Sequence, residues 1–149
     1  MVYKEKQRIE QLFATLKKAG LNLEATQLES IAAIQRLTVL ALSIAVRILQ
    51  LIQGRENPDL PATVAFSDEQ LQCLFAIAPT LDGKTQLQQN PYPPQTLAWA
   101  TWIIARLGGW SGYKSQKPPG ITTLIRGLYQ FESTFFGWKL ALGLLVCTP

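Results

Sequence analysis

LESIAAIQRLTVLALSIAVRILQLIQ, residues 28–53, runs without a single glycine or proline. Its apolar side chains include Ile31, Ile34, Leu37, Val39, Leu40, Leu42, Ile44, Val46, Ile48, Leu49 and Ile52. These cannot all lie on one face of a helix, so the stretch predicts a long central helix buried on most sides. Gly54 and Pro58 are expected to end it. No segment elsewhere alternates apolar and polar residues as a half-buried strand would. The fold class is therefore all-α or nearly so, with about five helices.

Downstream, residues 54–66 read as a loop with two prolines. Ser67 followed by Asp68, Glu69 and Gln70 is a capping box, which opens a short helix to about Ala78, closed by Pro79. Residues 80–95 are polar and contain prolines, which fits an ordered loop or a flexible connection equally. A further helix is expected from about Gln95 to Leu107, with Leu97, Ala98, Trp102, Ile103 and Ala105 inward and Gly108 and Gly109 past its end. The last helix runs from about Thr122 into the 140s on Leu124, Ile125, Leu128, Phe131, Phe135 and Leu142. Between these two lies GGWSGYKSQKPPG, residues 108–120, where Trp110, Tyr113, Lys114 and Lys117 mix aromatics and cations among glycines. Such loops hold nucleic-acid backbones, with Lys114 and Lys117 as the candidate DNA contacts, but Trp and Tyr at a glycine-rich corner equally serve as packing anchors.

Upstream, YKEKQRIEQLFATLKK, residues 3–18, is an amphipathic helix with Gly20 as its terminator. At roughly 100° per residue from Tyr3, Lys6 lies near 300°, Lys17 near 320° and Glu10 near 340°, so the four share one narrow polar stripe. Leu12, Leu16, Ile9 and Phe13 lie at about 180°, 220°, 240° and 280°, an apolar face expected to pack on a core. Lys6 and Glu10, four residues apart, could also simply pair as ions.

The composition, 48% hydrophobic and 16% charged, is that of a globular chain with few charges. The net charge of +4 is unevenly laid out: residues 1–18 carry five basic and two acidic side chains, 19–83 three and seven, and 84–149 six and one. Two basic ends flanking an acidic middle suit a polyanionic partner such as nucleic acid. There is no histidine, which excludes serine-type triads and zinc hydrolases built on it. Cys73 and Cys147 have no ligand-spaced partner and read as buried free thiols in a reducing cytosol. No early apolar run suggests a signal peptide, and the apolar stretch Leu37–Val46 is half the length of a bilayer span, so no membrane partner is expected.

Tyr3, Lys6, Glu10 and Lys17 follow the pattern Tyr, two residues, a basic residue, three residues, Glu, six residues, Lys. This resembles the Y, R, E, K signature of the DDE transposases of the insertion-sequence-four family. AVRILQL, residues 45–51, and LGGWSGYKSQKPPGITTLIRGL, residues 107–128, are similar to the C-terminal part of the same proteins, so the likeness spans nearly the whole chain. The resemblance implies the helical C-terminal portion of an RNase H-like transposase. Residues 1–20 would be the signature helix ending a catalytic domain, and residues 21–149 a helical region for dimerisation and DNA contact.

By the same resemblance, Glu10 is the third acidic residue of the DDE triad. It would be a ligand of two Mg2+ or Mn2+ ions that drive phosphodiester cleavage and strand transfer. Tyr3 and Lys6 match positions that contact phosphates near the transposon end, and Lys17 matches the lysine that faces DNA. The implied partners are transposon-end DNA and either a second copy or an intact transposase, in the bacterial cytoplasm at the nucleoid.

Two departures from the family pattern matter. Lys6 stands where the family has arginine, a point charge in place of a two-pronged phosphate fork. Arg8 lies near 140° on the wheel, too far round to substitute. The family's two catalytic aspartates lie upstream of the signature, where this sequence has only Met1 and Val2, and Asp59, Asp68 and Asp82 all come later. One carboxylate cannot build a two-metal site, so the chain by itself is expected to hold no metal and to cut no DNA. The expectation is a transposase fragment; the alternative is a non-catalytic helical module that binds DNA or a transposase, or a decayed remnant.

Overall fold

The computed structural model describes residues 30–113 and 117–143, together with Gln7, Glu10, Gln11, Phe13, Ala14, Thr15 and Lys17. Four helices have both ends defined: α1, Ile31–Glu56; α2, Asp68–Leu81; α3, Leu97–Leu107; and α4, Ile121–Ala141. The described residues between 7 and 17 are helical too, bringing the helices to the five expected. No strand occurs among the described residues, and the one isolated bridge joins Pro61 to Thr96. The all-α expectation holds.

Ser30 caps α1, its hydroxyl oxygen accepting from the Ala33 N–H at 3.4 Å. The helix passes straight through Gly54, which does not end it. Instead Gly54 is buried where a Cβ would come within 2.7 Å of Leu97 Cγ and 2.9 Å of Thr101 Oγ1. The missing side chain lets α1 and α3 approach each other, and Asn57 is the true cap.

Nor is α1 buried on most sides. Its buried residues begin at Ala41 and form one stripe with Ala45, Ile48, Leu51 and Ile52, while Ile31, Val39, Leu40, Leu42 and Val46 are exposed. The helix at the centre is α3, in which every residue from Leu97 to Ala105 is buried. The physical reason lies in LAWATWIIARL itself, where Ala98, Ala100, Thr101 and Ala105 are small enough for neighbours to close in from all sides. By length and composition α1 is apolar enough to cross a membrane, with mean hydropathy 1.7 in its most apolar window, a third of which is buried in the fold. Arg47 does not break that window, which extends past the run Leu37–Val46 toward the C-terminal end of the helix.

The capping box of α2 is complete: the Gln70 N–H donates to Ser67 Oγ at 3.3 Å, and the Ser67 N–H to Gln70 Oε1 at 3.0 Å. Pro79 does not close the helix, which continues to Leu81. A proline disturbs a helix through the bond it cannot donate to the residue four back. Here only the final turn bears that loss, and the Thr80 hydroxyl donates to the Ile77 carbonyl at 2.6 Å.

Residues 82–96 form an ordered, hydrogen-bonded loop. Asn90 donates its backbone N–H to Asp82 Oδ1 at 3.1 Å and its amide nitrogen to the Trp99 carbonyl at 3.0 Å. Thr96 then caps α3, accepting from the Trp99 N–H at 3.2 Å.

Packing is most extensive between α3 and α4, which cross at glycines. A Cβ on Gly127 would overlap the Ile104 carbonyl oxygen, and one on Gly108 the Thr123 carbonyl oxygen. Phe131 sits at the base of the core, edge-on to Phe66 with ring centroids 5.7 Å apart and stacked on Phe135 at 6.0 Å. Leu124, Ile125, Leu128 and Phe131 are buried as the helical spacing predicts, but Leu142 is exposed because α4 ends at Ala141 and turns away. Cys73 is a buried free thiol whose pKa is raised by desolvation, which makes it unreactive. Cys147 lies outside the described residues.

Candidate functional site

The N-terminal helical segment turns a polar row toward α1. Gln7, Gln11 and Thr15 follow one another at the spacing of successive helical turns. Thr15 is fully buried, its hydroxyl donating to the Gln11 carbonyl at 2.7 Å. Gln7 and Gln11 line a cavity of about 430 Å3 together with Leu49, Ile52, Gln53, Glu56 and Asn57 of the C-terminal end of α1.

Of this row Thr15 is buried, while Gln7 and Gln11 stay exposed at the cavity. Phe13, expected inward, is 59% exposed, and Glu10 and Lys17 are exposed beside it. Phe13 lies roughly 200° round the wheel from the middle of the Gln7–Thr15 row. Phe13 is thus not covered as expected, and the buried residue described in this segment is a threonine. Ile9, Leu12 and Leu16, the rest of the apolar face, lie outside the described residues, as do Tyr3 and Lys6.

Of the predicted site, then, Glu10 and Lys17 share one exposed side of a helix. Among the described residues no group of three carboxylates, cysteines or histidines comes together to hold a metal ion. Glu10 alone supplies one ligand where a two-metal centre needs several, so the residues present do not fit such a centre, and no chemical step is assigned to one.

The glycine-rich loop is tied into the body. Arg106 is its clamp: Nη1 donates to the Trp110 and Ser111 carbonyls at 3.0 and 2.6 Å, and Nη2 to the Leu81 carbonyl at 3.0 Å. Its guanidinium lies 5.5 Å from the Trp102 ring centre. Gly109 and Gly112 take φ of +90° and +83°, which glycine adopts without strain. Trp110 packs on the core, and its indole N–H donates to the Lys117 carbonyl at 3.2 Å, so this tryptophan serves as an anchor. The Tyr113 hydroxyl accepts from Gln88 Nε2 at 2.7 Å. Lys117 is exposed, while Lys114 lies outside the described residues.

This clamp was absent from the sequence reading, although an arginine in the last helical turn ahead of two glycines is well placed to hold free carbonyls. Arg47 was missed as well. It donates to the Ala65 carbonyl at 3.1 Å and Gln70 Oε1 at 3.0 Å, pairs with Glu132, and lies over the Phe66 ring. Lys139 pairs with Glu69 at 3.1 Å. Several cations counted toward an electrostatic footprint thus hold the fold together, leaving Lys17, Arg36, Lys84, Lys117 and Arg126 as the exposed ones among the described residues. Replacing Arg106 with alanine is expected to cost about 2–3 kcal/mol in urea unfolding, since buried carbonyls lose a charged donor, while Arg126→Ala changes stability by no more than about 0.5 kcal/mol.

No protein-family model matches the chain, and no curated protein matches it.

Proposed function

We propose that this chain is the helical C-terminal portion of a DDE transposase of the insertion-sequence-four family and acts in DNA transposition as part of the intact enzyme. The observation that carries the reading is the spacing of Tyr3, Lys6, Glu10 and Lys17 in the sequence, together with a helix on which Glu10, Phe13 and Lys17 are all exposed. A carboxylate that can be offered to metal, a cation that can be offered to phosphate and a largely exposed apolar ring lie on one side of the helix. A partner domain packing over Phe13 would place its own carboxylates beside Glu10.

On this reading Glu10 is one ligand of the Mg2+ or Mn2+ centre of the complete enzyme, and Lys17 neutralises a backbone phosphate of the transposon end. Lys117, also exposed, adds to the same electrostatic contact through its charge. The chain alone, lacking the other two carboxylates, binds DNA without cutting it.

Translation of the genomic DNA upstream of the Met1 codon tests the assignment. A β-patterned reading frame with two aspartates, in frame or one shift away, supports it, and unrelated sequence there overturns it. The purified chain is expected to leave supercoiled DNA intact in magnesium or manganese. Nicking that disappears in Glu10→Ala would contradict the incomplete site.

A further inference from the structure

Trp102 is 3% exposed, and its indole N–H is buried without an acceptor. The only other buried side-chain donor in that condition among the described residues is Arg55 Nε. Both side chains line one small cavity, which Thr101, Trp110 and Pro119 help to close. Two unpaired donors at one place are unusual, because buried N–H groups almost always find a partner. They call for a shared acceptor.

We propose that this cavity is a binding site for a single ordered water that bridges Trp102 Nε1 and Arg55 Nε and fastens the glycine-rich loop to α1 and α3. The size fits: the cavity offers about 40 Å3, and one water needs on the order of 10–15 Å3 of such space. The chemistry distinguishes water from an anion. Pro119 O, which accepts from Arg55 Nη1 at 2.6 Å, keeps a second lone pair. Thr101 Oγ1, whose hydrogen goes to the Leu97 carbonyl at 2.8 Å, is an acceptor too. Water accepts from the two N–H groups and donates to these oxygens, whereas a halide would satisfy the donors and face the oxygens unpaired. The site joins three elements, with Arg55 from α1, Trp102 from α3 and Pro119 from the end of the loop.

The test is a crystal structure of the full chain, with a second crystal grown in bromide. The expected result is a peak of water size within hydrogen-bond range of both nitrogens and no anomalous bromide signal there. An empty cavity, a protein acceptor on Trp102 Nε1, or a bromide peak overturns the proposal. In solution, Arg55→Met is expected to shift the Trp102 indole proton signal, identified by its loss in Trp102→Phe, while the Trp138 signal stays in place. An unmoved Trp102 signal counts against the bridge.

Discussion

Gly127→Ala is expected to lower stability by about 3 kcal/mol, because overpacking a close contact forces backbone as well as side chains to shift. The added Cβ falls on the Ile104 carbonyl oxygen, in a helix buried from Leu97 to Ala105. Neither party yields easily: Ile104 O belongs to the α3 ladder and accepts from the Gly108 N–H at 3.0 Å. Relief requires α4 to slide off α3, which uncovers Leu124, Ile125 and Leu128 together. Gly137, in the same helix, has open space at its Cβ. Gly137→Ala should therefore raise stability by about 0.5–1 kcal/mol through helix propensity alone. Urea unfolding of the two variants separates a packing glycine from a merely permissive one. Equal effects would show that the α3–α4 crossing is looser than described.

Phe131→Ala should cost about 3–5 kcal/mol, the range for deleting a fully buried ring. Phe131 has no exposed surface and bridges Phe66, on the connection after α1, to Phe135 one turn further along α4. Little nearby is free to collapse into the space. Phe66 is held from its other side by the Arg47 guanidinium, 5.3 Å from its ring centre, and Arg47 is fixed by Ala65, Gln70 and Glu132. The measurement is again the unfolding free energy. A loss below about 1.5 kcal/mol, the scale of a volume-conserving swap, would mean that the core refills easily.

Local signals in the sequence carried much of this fold. Ser67 and Gln70 announced the start of α2, since a capping box depends only on residues three apart. The glycine pair after Leu107 announced the end of α3. Gly54 and Pro79 misled because their usual effect is local, while their role here is set by the surroundings: Gly54 admits Leu97, and Pro79 falls where α2 has few bonds left to lose. Which helix lies at the centre was not legible either. Residues 28–53 are long and apolar, but burial is decided by what packs against a helix, and small residues drew the neighbours to α3.

The candidate site shows the same division. The spacing of Tyr3, Lys6, Glu10 and Lys17 is readable from residue numbers alone, and it groups Glu10 with Lys17 on one exposed side. That Phe13 would be exposed was not readable, because burial in this segment falls on Thr15, a polar residue, while Gln7 and Gln11 line the cavity against α1. Phe13 is exposed beside Glu10.

The salt dependence of duplex DNA affinity tests the central claim most directly. The account predicts that log affinity falls linearly with log salt, and that Lys17→Ala reduces the slope by about 0.9, one phosphate contact's worth. A slope indistinguishable from zero, or one unchanged by Lys17→Ala, would contradict a DNA-facing role for this helix.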